Sequence, residues 1–281
     1  MKNEEIRLVV ETNGLLCAPD LAKKMKECKN AFVSVSVDSP DSCVHERIRG
    51  VKGSFEKTKE GIKNLVSAGF KPQIIMSVMR CNKDHLEAMV RLAESLGAGS
   101  VKFNIVQPTA RGEEMHRKNE TLTIQELVNL GRWVDDVLQA ATSLKLYYHH
   151  PPAFRALGKI FGNNPSGCGA CGILGILGVL ADGSYALCGI GESVPELVFG
   201  RAAKDRLEDI WNTTPVLLQL REGMPDRLEG ICGDCVMKWR CLGSCVAQNY
   251  YLSKNLWSGF WYCEEARRRG LFPETRLYPA P

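Results

Sequence analysis

Cys232-Gly-Asp-Cys235-Val-Met-Lys-Trp-Arg-Cys241-Leu-Gly-Ser-Cys245 is the densest run of cysteines in the chain, with the spacing C-x2-C-x5-C-x3-C. Cys263 follows after seventeen further residues. Upstream lie Cys168-Gly-Ala-Cys171 and then Cys188, with four residues between Gly183 and Cys188. Eight of the 12 cysteines therefore fall between residues 168 and 263, enough for two sets of four. Four thiolates on one centre is the demand of a structural zinc or of an iron–sulfur cluster. A disulfide framework fits poorly, because nothing at the N-terminus resembles a signal peptide and disulfides are rare in reducing compartments. Spacing alone leaves zinc and iron–sulfur both open. A bare zinc ribbon of two C-x2-C knuckles would leave Cys188, Cys241, Cys245 and Cys263 to explain.

The whole array, Cys171-x11-Gly183-x4-Cys188, a gap, Cys232-x2-Cys235-x5-Cys241-x3-Cys245, a gap and Cys263, resembles the seven-cysteine signature of the SPASM domain. That domain is the C-terminal extension of a large group of radical S-adenosylmethionine (radical SAM) enzymes. Cys168 supplies an eighth thiolate. The resemblance implies two auxiliary [4Fe–4S] clusters. Cys168, Cys171, Cys188 and Cys245 would hold the first, and Cys232, Cys235, Cys241 and Cys263 the second.

The totals are those of a soluble globular chain: 281 residues, 44 % hydrophobic, 24 % charged, enough for one large domain and a small one. No apolar run approaches the roughly 18 residues of a membrane span, so no membrane is expected, and a cytoplasmic location follows from the reduced cysteines. A net charge of +4 gives no concentrated basic stripe for nucleic acid. Arg267-Arg268-Arg269 reads as a solvated helix face. Cys17, Cys28, Cys43 and Cys81 have no metal spacing and read as small core hydrophobes.

The first 150 residues alternate between strand and helix patterns. Strands are expected at 6–12, 32–38, 73–79, 101–106 and 146–150. Helices are expected at 19–28, 55–68 (closed by Gly69), from an Asn82 cap to Leu96, and from the Thr123-Ile-Gln-Glu126 capping box to about Leu144. Alternation of this kind implies a parallel α/β sheet or barrel. The composition turns to glycine, cysteine and turn residues at Gly162-Asn-Asn-Pro-Ser-Gly167, which sets a boundary near residue 160: 1–160 and 161–281. In the second part a hairpin is expected about Asp182-Gly183, and a helix over 207–220.

Three stretches of the first part resemble radical SAM strands. Glu11-Thr-Asn-Gly14 is similar to a family strand end, although a strand-to-helix turn would use Asn-Gly anyway. Ser36-Val-Asp38, His45-Glu-Arg-Ile-Arg49-Gly50 and Gly53-Ser-Phe55 together resemble a family segment in which the serine and arginine contact SAM, the arginine suiting its carboxylate. Ser36 and Arg49 are the matching residues here, and His45 reads as a local structural residue. Phe103-Asn-Ile-Val106 resembles the sixth strand, which implies a backbone contact near Val106 to the adenine. His149-His150 sits on a strand, where neighbours face opposite ways, and is not expected to bind metal.

The family's C-x3-C-x2-C loop, whose thiolates hold the SAM-binding cluster, is not found in these 281 residues, and neither is its G-G-E-P strand end. The chain is therefore expected to be incomplete: strands three to six of a partial barrel, then the whole SPASM domain. The resemblance implies a radical SAM enzyme that modifies a peptide or protein side chain, with S-adenosylmethionine as cofactor of the complete enzyme and a flavodoxin or ferredoxin as electron donor. In sulfatase-type members an aspartate follows the cysteine matching Cys188. Gly189 stands there instead, with Glu192 the next carboxylate, which favours peptide cross-linking or thioether-type maturation. The competing readings are a non-catalytic iron–sulfur electron-transfer or scaffold protein, and a zinc-binding structural protein.

Overall fold

The computed structural model describes residues 7–162 and 171–279. The chain divides into two compact units, residues 1–106 with 116–149, and residues 107–115 with 150–281.

In the first unit the elements run β1 (Val9–Thr12), α1 (Pro19–Lys26), β2 (Phe32–Ser36), α2 (Ser42–Arg49), α3 (Ser54–Ser67), β3 (Gln73–Val78), α4 (Leu86–Ser95) and β4 (Ser100–Ile105). The short helix α5 (Arg111–Arg117) lies mostly in the second unit, and the first resumes with α6 (Ile124–Trp133) and β5 (Lys145–Tyr148). The five strands form one parallel sheet in sequential order. This is the α/β architecture that the alternating pattern implies.

The register separates two faces. Thr12, Val35, Ile74, Val101 and Leu146 align in one row, and Met76, Phe103 and Tyr148 in another. From Val35 and Met76 onward these rows are buried, and with Ile62 and Leu65 of α3, Met89 and Val90 of α4, and Leu127 and Val128 of α6 they form the core. Each fully buried side chain of this kind contributes about 1.5–3 kcal/mol. The intervening rows, Glu11–Ser34–Gln73–Ser100–Lys145 and Ser36–Ile75–Lys102–Tyr147, are largely polar. In a sheet, side chains alternate between faces, so these residues share the opposite face.

The turn after β1 is locked onto α3. Gly14 has φ +79°, and a Cβ on Gly61 would lie 2.1 Å from the Gly14 carbonyl oxygen, so helix and turn meet backbone to backbone. Thr58 donates its hydroxyl to the Asn13 carbonyl (2.9 Å), and Asn64 donates to that of Cys17 (3.0 Å). The capping box at α6 is formed, Thr123 accepting from Glu126 N–H and Glu126 from Thr123 N–H.

Several expectations need correction. Asn82 does not cap α4 with its side chain. Its Nδ2 donates to the carbonyls of Asp38 (2.7 Å) and Ser77 (2.9 Å), and its Oδ1 accepts from Met79 N–H (2.7 Å). The helix expected to reach Leu144 ends its α-helical part at Trp133 and continues as a wider π turn over Val134–Leu138. Among the four cysteines outside the array only Cys17 is buried; Cys28 is intermediate, and Cys43 and Cys81 are exposed.

The second unit contains α7 (Leu157–Phe161), an antiparallel sheet of β6 (Gly178–Val179), β7 (Ser184–Ala186) and β8 (Val198–Arg201), then α8 (Leu207–Thr213), α9 (Pro215–Gly223), α10 (Gly230–Gly233), α11 (Lys238–Cys241), α12 (Val246–Ser253) and α13 (Trp261–Arg268). Asp182-Gly183 makes the β6–β7 turn, with Gly183 at φ +87° and Asp182 accepting from Ser184 N–H (2.9 Å). The helix expected over 207–220 is two helices. Pro215 holds Thr214 extended (ψ 120°) and breaks the run. Among the described residues no helix is long and apolar enough to cross a membrane.

Candidate iron–sulfur sites and the polar sheet edge

The cysteines of the array come from separate local devices. Cys171 precedes a single 3-10 turn (Ile173–Gly175), and Cys188 follows β7 and opens another (Gly189–Glu192). Cys232 lies in α10, Cys235 just after it, Cys241 closes α11, Cys245 is the N-cap of α12, and Cys263 is in the first turn of α13. Cys168 lies outside the described residues.

The electrostatics sort the seven described thiols into two groups. Burial pushes Cys245 up to about 11, the N–H groups of Gln248 and Ala247 act in the other direction, and Cys171 and Cys188 are near enough to raise it further. Cys171 is raised by burial and by Cys188. Cys263, fully enclosed, is raised by burial and then by Cys232, Cys241 and Cys235. Cys232 is pushed up to about 11, chiefly by burial, with Cys235 adding. Cys171, Cys188 and Cys245 thus lie together, and Cys232, Cys235, Cys241 and Cys263 lie together.

The second group lines one cavity, with Ile231 and Phe272 among its apolar walls. Backbone N–H groups point at the sulfurs: Phe260 N–H donates to Cys232 (3.3 Å) and Met237 N–H to Cys235 (3.4 Å). Ile173 and Ile190 act on Cys171 and Cys188 in the same sense, two residues ahead of each thiol. Donors aimed at sulfur favour thiolate over thiol. The donor set therefore fits a cysteine-ligated metal group, whose bound cations would also relieve the burial penalty. A single zinc would draw its sulfurs to about 2.3 Å from one ion. Among the described residues no group of three or more His, Cys, Asp or Glu side chains is placed to hold a metal ion as it stands.

Between the groups, Leu242, Gly243 and Ser244 all take left-handed backbone conformations (φ +50°, +70° and +59°). Glu264, beside Cys263, accepts from Ile231 N–H (2.9 Å) and so ties α13 to the Cys232 segment. Neither the turn nor Glu264 was anticipated from the sequence. Gly243 and the adjacency of Glu264 to Cys263 are the only local hints.

In the first unit, Ser36, Arg49 and Val106 lie near the C-terminal edge of the sheet: Ser36 ends β2, Arg49 ends α2, and Val106 follows β4. Arg49 Nε lies 2.7 Å from Asp38 Oδ2, a charge contact rather than an aligned hydrogen bond. Asp38 is 3 % exposed and also accepts from Ser77 N–H (3.1 Å). His45 is buried, accepts from Asp38 N–H at Nδ1 (3.2 Å) and packs on Phe55. Burial lowers its pKa, outweighing Asp38, so the ring is neutral and structural. The Val106 carbonyl accepts from His116 Nε2 (2.9 Å). His150 is buried in the second unit, its Nδ1 3.3 Å from the Tyr262 hydroxyl.

Residues 1–93 match the family model described as the radical SAM superfamily, and residues 153–236 match SPASM, the iron–sulfur cluster-binding domain. Among curated proteins the chain is 28 % identical over 261 residues to the AdoMet-dependent heme synthase of Oleidesulfovibrio alaskensis, covering 88 % of this chain and 65 % of that protein. It is 26 % identical over 241 residues to the mycofactocin maturase MftC of Mycobacterium ulcerans, covering 85 % and 62 %. The chain thus spans about two thirds of the length of these relatives. Among solved structures it is similar in fold to Streptococcus suis SuiB bound to precursor peptide SuiA, with TM-score 0.69, 16 % identity, and coverage of 92 % of this chain and 59 % of that one.

Proposed function

Because the chain belongs to the radical SAM superfamily and carries a SPASM domain, we propose that it serves in radical modification of a peptide or protein side chain and holds two auxiliary [4Fe–4S] clusters. The observation that carries this reading is the division of the described thiols of the array into two groups, each approached by backbone donors. Cys171, Cys188 and Cys245, with Cys168, would hold one cluster. Cys232, Cys235, Cys241 and Cys263 would hold the other. Such clusters, when bound, exchange single electrons at potentials tuned by hydrogen bonds, charge and solvent exposure.

The chain's own residues supply the rest. Burial in an apolar wall keeps water from the sulfurs, and the Phe260 and Met237 amides orient them. At the polar sheet edge, Ser36 and Arg49 are proposed to bind the carboxylate end of S-adenosylmethionine, and the backbone at Val106 its adenine. Asp38 would hold Arg49 in place for that contact. In open α/β sheets ligands bind at the carboxyl ends of the strands, which supports this assignment. A peptide substrate is favoured by the likeness to a mycofactocin maturase and to a structure bound to a precursor peptide. The heme synthase relatives favour a second reading, with a tetrapyrrole substrate.

With no C-x3-C-x2-C triplet among these residues, the chain by itself is proposed not to cleave S-adenosylmethionine. Iron and sulfide analysis after anaerobic reconstitution tests the cluster reading, with about eight irons expected for two four-iron sites. Four irons, unchanged by Cys263→Ala, would remove the second cluster. Mass spectrometry of candidate peptides co-expressed with the full-length protein tests the substrate class. A modified tetrapyrrole and unmodified peptides would favour the second reading.

A further inference from the structure

The apolar rows of the sheet are buried with α3, α4 and α6, which leaves the polar rows on the opposite face. On β4 and β5 that face carries Lys102, Asn104, Lys145 and Tyr147, with Lys102 directly opposite Tyr147 in the register. Residues so paired on neighbouring strands lie about 5 Å apart. One row nearer the strand starts, Gln73 donates to Ser100 Oγ (3.1 Å), so the polar groups there satisfy each other. The β4–β5 set is different. Lys102 is half-buried, and among the described residues neither its ammonium nor the Tyr147 hydroxyl has a hydrogen bond or ion pair. Asn104 Oδ1 is buried with no partner. Lys145 is exposed, and its ammonium over the Tyr147 ring (5.1 Å) adds positive charge beside the pair. The acid in these rows, Glu11, is on β1, three strands from β4 and about 14 Å away at the interstrand spacing. A half-buried ammonium without a counter-charge is costly to hold, and an arriving anion relieves that cost.

We propose that Lys102, with Tyr147 beside it, binds a carboxylate of the substrate. This rests on the reading of the same sheet edge as the S-adenosylmethionine site. An ammonium and a phenol side by side offer two donors, which match the two oxygens of a carboxylate. Phosphate sites instead use fans of free backbone N–H groups, which β4 and β5, paired along their length, do not offer. The place also suits a substrate. Ser36 stands in the row of Lys102 with Ile75 between them, two interstrand spacings or about 10 Å away. Val106 lies four positions further along the strand that carries Lys102. Lys102 is therefore a near neighbour of both residues proposed to hold S-adenosylmethionine. A carboxylate is shared by peptides, through an acidic side chain or the C-terminus, and by tetrapyrroles with acid side chains, so either substrate reading supplies one.

The test is lysine footprinting of the anaerobically reconstituted full-length protein, acetylated briefly in acetate, acetamide or sodium chloride and read by mass spectrometry. Acetate should slow labelling of Lys102 in proportion to occupancy, about tenfold at nine-tenths saturation. Acetamide and chloride should leave it unchanged, and the exposed Lys23 and Lys24 serve as internal controls. A peptide with a free C-terminal carboxylate against its amide, and a porphyrin dipropionate against its dimethyl ester, separate the two sources. Protection by either acid and by neither blocked twin supports the site. In co-expression, Lys102→Met should lower substrate modification about tenfold or more while iron content and S-adenosylmethionine cleavage stay in place, and Lys102→Arg should keep most of it. No protection by acetate, or equal protection by acetamide or chloride, would overturn the carboxylate site and leave the radical reading standing. So would full modification by Lys102→Met. A wild-type full-length protein with full iron that does not bind S-adenosylmethionine would overturn the reading of the sheet edge, and the inference with it.

Discussion

Cys241 and Cys245 are four positions apart, and each faces a different thiol group. Cys241 is near enough to Cys263 to help burial raise its pKa, whereas Cys245 is raised in the same way by Cys171 and Cys188. A sequential arrangement would have put Cys245 with its neighbours in the run. The chain instead changes direction within three residues, and this crossing ties the β6–β7 hairpin region to the C-terminal helices.

Cys245→Ala should therefore remove iron from the group of Cys171 and Cys188 and spare that of Cys232, Cys235, Cys241 and Cys263. About half of the wild-type iron is expected to remain, with one EPR signal lost. Loss of the signal that Cys263→Ala also removes would instead favour the sequential pairing.

The change of direction depends on Leu242-Gly243-Ser244, all left-handed. A left-handed residue with a side chain costs about 1–2 kcal/mol. Gly243→Ala should thus destabilise by about that amount, with added crowding because its Cβ would meet Leu228 Cδ2 at 3.1 Å. Ser244→Gly should relieve strain and raise the melting temperature. Equal melting temperatures for wild type and Gly243→Ala would show that the turn is under no such constraint.

The sequence carried the first unit well because a parallel sheet with one apolar face writes itself into local pattern. Val35, Ile74, Val101 and Leu146 recur at strand positions, and Gly69 and the Thr123–Glu126 box mark helix ends. It failed where a side chain works at long range. Asn82 has the composition of a helix cap, yet its amide joins the ends of β2 and β3, with Asp38 44 positions away. β8 was missed because Val198-Phe-Gly-Arg201 is too short to show alternation, and its pairing with β7 defines it. The break at Thr214-Pro215 was missed by the expectation of one helix over 207–220, although a residue before proline avoids helix. The grouping of Cys245 has no local signal, and it entered the sequence reading through the SPASM likeness.

Asp38→Asn should loosen the polar sheet edge. The carboxylate is nearly buried and serves both Arg49 and Ser77 N–H. Hydrogen bonds to charged groups contribute about 1.5–3 kcal/mol, reduced here because the Arg49 side chain is 31 % exposed. A loss of about 1–2 kcal/mol in denaturant unfolding is expected, with weaker binding of S-adenosylmethionine by calorimetry on the full-length protein. Unchanged stability would mean that solvent already satisfies Arg49.

Glu126 should give the first unit an acid-sensitive element. Thr123 N–H first, then Lys83, the Thr123 hydroxyl and Arg80, hold its carboxyl at about 2, below the ordinary 4.5. Because the folded value is the lower one, its contribution is complete above pH 4.5 and lost as pH falls toward 2. The side chain is 28 % exposed, so screening leaves a contribution of about 1 kcal/mol, the size of a helix cap. Glu126→Gln should lower stability at pH 7 by that amount and converge with wild type near pH 2. Parallel stability curves across that range would remove the carboxylate as the cause.

The cysteines should differ sharply toward an alkylating reagent. Cys43 and Cys81 are exposed, whereas Cys232, Cys235 and Cys263 are buried. The thiolate is the nucleophile, and at pH 8 a thiol held at about 11, as for Cys232 and Cys245, is ionised to about one part in a thousand. Mass spectrometry of briefly alkylated, reduced protein after iron chelation should find the exposed Cys43 and Cys81 labelled first. Raising the pH toward 11 should narrow that gap, because ionisation of the buried thiols then catches up while burial alone still slows them. Uniform labelling at pH 8 after chelation, with slow labelling before it, would mean that the buried thiol groups exist only around bound iron, and that packing does not build them beforehand.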